Sequence, residues 1–332
     1  MSTQGLFASC ETRPRVAVVG DIFVDISAKV HRLPEWDRDT EADYIEALPG
    51  GSALNQARQL HELGVTVKFF GAVGEDAFGK MLLAHVEGQG FPTELVKVLQ
   101  VPSSICFVLS GPSDRGFVSC YSTTRAVGPE DLDDRTRSEL QSCDHLHVGG
   151  YFNLPGMMKP GFTDFVRSCR QRGMTVSLNT QSDPSDAYTG TDGHILEMLP
   201  LTDLLFVNER EQHLIAAAVM PDGSTSPEAL CQAYPELTLV VTRGEKGCQV
   251  VKCGQETLDV PTKPALHVVD ATGAGDAFLA GFLSRWLSQP RGARNRAVLG
   301  DASELGQALA LCCIGKKGAC VKPVTLAEVQ AE

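Results

Sequence analysis

At 332 residues, 43% hydrophobic and 21% charged, the chain has a globular composition and length enough for one large α/β domain or two medium ones. Its formal net charge of −12, with no Lys/Arg block of five or more, excludes nucleic acid and anionic membrane as partners. An anionic substrate then has to be held by local positive potential from helix N-termini, a divalent metal or a few placed basic residues.

In chain order, residues 1–14 read as a frayed tail, because nothing periodic begins before Arg15. Arg15–Gly20 is a short apolar, β-branched run of the kind buried on both faces of a sheet. Segments 67–73, 145–148, 175–178, 204–207 and 237–242 resemble it, and helical patterns at 52–63, 160–172, 209–219 and 226–233 lie between them. That alternation predicts right-handed crossovers and an α/β fold with a doubly wound, mostly parallel central sheet flanked by helices. With no internal repeat or low-complexity linker, residues 15–330 are expected to form one domain.

Two stretches break the rhythm. Residues 22–48 read as extended, and 104–123 as a hairpin about the turn Gly111-Pro-Ser-Asp-Arg-Gly116. They are expected to form a small β-sheet lid that shuts water out of a site. Eleven cysteines, odd in number and scattered from Cys10 to Cys320 without a CxxC pair, read as buried free thiols. No N-terminal apolar h-region is present and no stretch reaches the ~18 uninterrupted apolar residues of a membrane span, so a cytoplasmic location is expected.

The most informative segment is Asp270-Ala-Thr272-Gly273-Ala274-Gly275-Asp276, where an apolar strand ending runs into an amphipathic helix. Glycines at 273 and 275 around the small Ala274 let successive N–H groups point at one anion from a helix N-terminus. A carboxylate beside a phosphate site repels the ligand unless it is needed as a base, so Asp276 points to phosphoryl transfer to a hydroxyl. A Gly-rich helix start with Asp276 as a first-turn dipole partner would use the same residues.

This motif, the earlier Pro49-Gly50-Gly51-Ser-Ala-Leu-Asn55 and Asn208-Glu-Arg-Glu211, in that order and spacing, resemble the ribokinase-like (PfkB-type) family of carbohydrate and nucleoside kinases. The resemblance implies ATP as donor, Mg²⁺, often a monovalent cation such as K⁺, and lids that often pair two copies into a homodimer. It implies Asp276 as the base, with Gly273, Ala274 and Gly275 as the anion hole. It places Asp25, Gly50, Gly51 and Asn55 around the acceptor. Asn208 and Glu211 fall near metal and phosphates, Glu211 reaching Mg²⁺ through water, and Thr242, Arg243, Gly244 and Gly247 fall around the nucleotide. Asp270 and the Thr272 carbonyl, with the loop around 315–318, match the monovalent-cation site, although Lys316, Lys317 and Lys322 bring positive charge to the same place. Phe23 stands where ribose-specific members carry an amide, which turns the expectation away from ribose toward another sugar, a sugar acid or a nucleoside.

Other signals read as structural. Gly74-Glu-Asp-Ala-Phe-Gly79-Lys80-Met81 lacks the hydroxyl a P-loop needs, and Asp76 reads as a helix cap. His145 and His147 share a strand face without further ligands and read as hydrogen-bonded core residues. Phe278, Phe282 and Trp286 read as the core face of the Asp276 helix. The sequence thus points to an ATP-dependent kinase acting on a hydroxyl, most simply a primary alcohol, of a small carbohydrate. A nucleoside acceptor would need an aromatic slot from Phe23, Phe107, Phe117 and Tyr121, and a catalytically weak binding protein is the reading from another class.

Overall fold

The apolar runs become strands because each is bounded by a turn residue and too short for a core helix. The computed structural model describes residues 13–111, 115–183, 188–189, 194–220, 222–265, 267–316 and 322–331, so the expected N-terminal tail lies almost wholly outside the described residues. The strands are β1 (Arg15–Gly20), β2 (Phe23–Val30), β3 (Ala42–Gly50), β4 (Thr66–Phe70), β5 (Ala72–Gly74), β6 (Lys97–Leu99) and β7 (Ile105–Ser110). They continue with β8 (Arg115–Cys120), β9 (His145–Gly149), β10 (Thr175–Asn179), β11 (Leu204–Asn208), β12 (Thr238–Thr242), β13 (Cys248–Lys252) and β14 (Leu258–Val260).

The central sheet has eight strands in the order β14-β13-β12-β11-β10-β9-β1-β4. All pairs from β4 to β12 are parallel, as expected, and β13 and β14 add an antiparallel edge that the sequence pattern did not reveal. The run expected at 67–73 divides at Gly71: β4 stays in the main sheet while β5 leaves it to pair with β6.

Apolar side chains cover both sheet faces. On one, Val16, Val18, Phe206 and Val240 pack with Phe278 and Phe282 of the helix Ala274–Leu287 and with Leu54 and Leu60 of the helix Ser52–Glu62. On the other, Leu146, Val148 and Leu178 pack with Phe162 and Phe165 of the helix Pro160–Gln171. The helix Arg296–Ile314 is long and apolar enough to cross a membrane by length and composition, but half of it is buried in the first of these cores, beside Ala274–Leu287. Of the nine described cysteines six are buried, whereas Cys120 is exposed and Cys106 and Cys253 are half-buried.

The two irregular stretches build a separate four-stranded sheet in the order β3-β2-β7-β8. β7 and β8 are the expected hairpin, whose tip at 112–114 lies outside the described residues. β2 joins it through parallel pairing with β7, a non-local contact that no local pattern encodes.

Candidate active site

At β1 the chain order reverses, since β4 lies on one side and β9 on the other. In open α/β sheets, ligands bind at the carboxyl ends of the strands beside such a reversal. Gly20 and Gly149, paired at the ends of β1 and β9, shape this point. A Cβ at Gly20 would come within 2.0 Å of the Ala53 side chain and one at Gly149 within 2.8 Å of it. Their bareness lets the helix Ser52–Glu62 set its first turn directly on the sheet edge.

That helix begins at Gly51, which has no capping side chain. Asp21, just past β1, supplies the cap instead: Oδ1 accepts the Ala53 N–H at 2.7 Å and Oδ2 accepts the Asn153 amide at 2.8 Å. Burial pushes the Asp21 carboxyl up to about 6 in spite of these donors.

Opposite, Gly273 takes a left-handed conformation (φ 75°) and starts the helix Ala274–Leu287, whose buried face includes Phe278, Phe282 and Trp286 as expected. This presents Asp276 to the first turn of Ser52–Glu62. Oδ1 accepts from Ser52 Oγ at 2.6 Å and Gln56 Nε2 at 2.9 Å, and Oδ2 accepts from Asn55 Nδ2 at 3.1 Å. Burial raises the Asp276 carboxyl to about 7 against the pull of those donors, and the Asp21 charge adds to the rise. Asn55 Oδ1 beside it is buried with no hydrogen-bond partner.

Asp276 and Asn55 open onto a cleft of about 660 Å³ between the central sheet and the small sheet. Asp25, Gly51, Thr272, Gly273 and Gly275 line it, and Asn208, Glu211 and Thr242 line it from the β11 and β12 side. Asp25 is half-buried and pushed up to about 7 by burial and by the charges of Asp21 and Asp276. Gly50 stands directly behind it, where a Cβ would come within 2.1 Å of the Asp25 carboxyl.

Asn208 and Glu211 form a reciprocal cap: the Glu211 N–H donates to Asn208 Oδ1 at 2.9 Å, and the Glu211 carboxylate accepts the Asn208 N–H and side-chain amide at 3.1 and 2.7 Å. Burial nonetheless raises the Glu211 carboxyl. Ala274, Asp270, Arg243, Gly244 and Gly247 lie outside the lining. Arg243 pairs with Asp259 at 2.7 Å and donates to the Cys248 carbonyl, so its guanidinium is tied into the β12–β13 edge. Asp270 Oδ1 accepts the Thr272 N–H at 2.9 Å. Lys316 pairs with Glu328 at 2.6 Å, and Lys317 with the rest of 317–318 lies outside the described residues.

Phe23, Phe117 and Tyr121 line the cleft, with Phe23 edge-on to Tyr121 at 5.6 Å between ring centroids. Phe107, expected among them, does not: it pairs with Ile26 and Val118 on the other face of the small sheet and is 44% exposed. Asp76 caps its helix through the Gly79 N–H, as read from the sequence. Sequence reasoning missed Asp21, Ser52, Gln56, Asn153, Asn179 and Gln181. The polar run Asn179-Thr-Gln181-Ser182 at the carboxyl end of a buried strand was the signal that could have found two of them.

A family profile described as "pfkB family carbohydrate kinase" matches residues 13–325. An ATP-dependent ribose-1-phosphate kinase of Halopiger xanaduensis is 29% identical over 284 residues, covering 82% of this chain and 85% of that protein. A fructokinase of Escherichia coli is 29% identical over 283 residues, covering 81% and 83%. The solved ribokinase of Giardia lamblia superposes with a TM-score of 0.81 at 19% identity, over 96% of this chain and 98% of that one. The profile spans nearly the whole chain and includes every element that meets at the cleft, so the protein belongs to the pfkB family of carbohydrate kinases and is a phosphotransferase.

Proposed function

We propose that the chain transfers the γ-phosphoryl group of ATP to a primary hydroxyl of a small, uncharged carbohydrate, with Asp276 as general base. The carrying observation is the Asp276–Asn55 pair: a carboxylate raised to about 7 beside a buried carbonyl oxygen with no donor. A hydroxyl entering the cleft donates to one or the other, and a base poised near neutrality takes its proton most effectively. The Gly273–Gly275 amides at the helix N-terminus then stabilise charge on the transferring group.

The acceptor is read as uncharged because Asp21 and Asp25 line this end of the cleft and no Lys or Arg does among the described residues. Sugar acids would meet repulsion there. ATP is placed at the Asn208, Glu211 and Thr242 side. The described residues hold no cluster of three His, Cys, Asp or Glu side chains able to bind a metal. Mg²⁺ fits here chiefly on the nucleotide's own phosphates, with Glu211 reaching it through water, and when bound it supplies charge neutralisation of those phosphates. Glu328 offsets the charge of Lys316, one of the lysines expected beside Asp270 and Thr272, and this supports a K⁺ site there. The face of the small sheet turned from the cleft exposes Ile45, Phe107 and Val118 at 69%, 44% and 63%, an apolar surface that supports pairing of two lids in a homodimer.

A nucleoside acceptor is the second reading, favoured by the Phe23–Tyr121 edge contact and by Phe117 on the cleft wall. ADP release measured across neutral sugars, sugar acids and nucleosides separates these. Turnover of neutral sugars is expected; a clear preference for sugar acids defeats the uncharged acceptor, turnover of nucleosides alone transfers the assignment, and none at all leaves a binding protein.

A further inference from the structure

Behind Asp276 runs a buried chain of polar side chains with a single direction. Gln56, His147, Ser177 and His145 are each 0% exposed, and none lines the cleft. Gln56 Nε2 donates to Asp276 Oδ1 and Asn179 Oδ1, both at 2.9 Å, with Ser52 Oγ farther off at 3.5 Å. Asn179 is itself oriented by donating to the Phe206 carbonyl at 3.1 Å. Gln56 therefore turns its carbonyl the other way, where Oε1 meets His147 Nε2 at 2.7 Å. That contact requires the proton on Nε2 and leaves Nδ1 to accept from the Ser177 hydroxyl at 2.7 Å. Ser177 Oγ in turn accepts from His145 Nε2 at 2.7 Å, and His145 Nδ1 accepts from Thr175 Oγ1 at 2.7 Å. Each link has one donor and one acceptor, and every donor points toward Asp276, an arrangement in which the bonds polarise one another.

Both imidazoles are neutral near pH 7. Burial lowers His147 to about 3 and His145 well below its ordinary value, to which His147, Arg294 and Arg291 add. The Trp286 ring closes the far side of His145 at 5.9 Å. Their tautomers are thus set by geometry.

We propose that His147, held by Ser177 and His145, is a positioning residue for the catalytic base: it locks the Gln56 amide so that N–H, not carbonyl, faces Asp276. Without it Gln56 Oε1 is buried with no donor, a cost that works against the orientation Asp276 and Asn179 favour, and a carbonyl turned to the carboxylate favours the protonated, inactive acid. Asp21 just past β1, Asp25 on β2, and the Cys313 thiol of the helix Arg296–Ile314 are the other titratable groups near Asp276, so a lost donor is not replaced from these. The inference rests on Asp276 being the base.

The test is a double-mutant cycle in the full chain with Gln56→Leu, His147→Leu and both together, following kcat, both KM values, the kcat–pH profile and melting temperature. Each single variant is expected to lower kcat about tenfold, the scale of one hydrogen bond to a charged group, and to move the acid limb to higher pH with KM for ATP unchanged. The double variant should be no worse than Gln56→Leu alone, and His147→Gln, which offers an N–H at the same reach, should restore both rate and profile. Ser177→Ala keeps both imidazoles and should shift kcat and the acid limb in the same direction, which preserves the test if His147→Leu does not fold. Additive losses in the double variant, or a fall in melting temperature with kcat and pH profile unaltered, would overturn the relay. An inactive Asp276→Asn beside additive losses would fail the relay alone, whereas a fully active Asp276→Asn would fail the base itself.

Discussion

Asn55 donates its amide to Asp276 at 3.1 Å while its own carbonyl oxygen lies buried without a donor. Buried acceptors rarely stay unpaired, and an acceptor hydroxyl is the partner that fits this cleft. Replacing Asn55 by Leu is expected to raise the acceptor KM and lower kcat, each by about tenfold, because one bond to the substrate and one to the base are lost together. Steady-state kinetics with each substrate varied in turn checks this, and KM for ATP should not change.

Asp276→Asn is expected to leave circular dichroism and nucleotide binding intact while lowering turnover by about 10² or more, the usual scale for loss of a general base. In the wild type the acid limb of kcat/KM should fall near pH 7, since Asp276 is raised to about 7 and must be ionised to act. Asp25 titrates in the same range and the two are coupled, so the limb belongs to the pair. A profile flat from pH 6 to 8 would contradict the assignment.

Asp25→Asn should stabilise the unliganded protein at pH 8 and not at pH 4. The Asp25 carboxyl is raised from 3.8 to about 7, so between those values the folded chain keeps a proton that the unfolded chain has released. Stability is therefore lost as pH rises through that window and does not return above it. Asparagine carries no charge to repel Asp21 and Asp276. Melting curves at the two pH values read this directly, and the acceptor KM should rise in the same variant.

Gly275→Ala separates the anion hole from the fold. A Cβ at Gly275 would meet nothing within 4 Å, and Ala suits the first turn of a helix better than Gly by up to ~1 kcal/mol. Melting temperature should hold or rise while kcat falls about tenfold or more, because the methyl occupies space needed by the transferring group. Undiminished kcat would place that group elsewhere.

Arg243→Ala is expected to lower stability and leave KM for ATP unchanged. Its guanidinium serves Asp259 and the Cys248 carbonyl rather than the cleft. A large rise in KM for ATP would return Arg243 to the nucleotide.

Local chemistry made much of this legible in the sequence. The parallel strands show as short β-branched runs between helical patterns, the Asp276 turn shows because left-handed backbone at Gly273 needs glycine, and Asn208 with Glu211 shows as a capping pair three residues apart. The edge strands β13 and β14 were not legible, being only five and three residues long and broken by polar Gln249, Lys252 and Asp259, and their antiparallel pairing has no local signature. Phe107 was misassigned because which face of a strand meets the cleft depends on pairing with β2, far away in the chain.

What the sequence determined by itself was the inventory: which segments pleat or coil, where a helix N-terminus can hold an anion, and that a carboxylate stands beside it. Only the tertiary structure decided the partners. Ser52, Asn55 and Gln56 lie more than 200 positions from Asp276, and Asp21 caps a helix it does not belong to. Such contacts arise from how the helices dock on the sheet, set here by the bare backbones of Gly20 and Gly149, and a docking distance has no signature in any local window of residues.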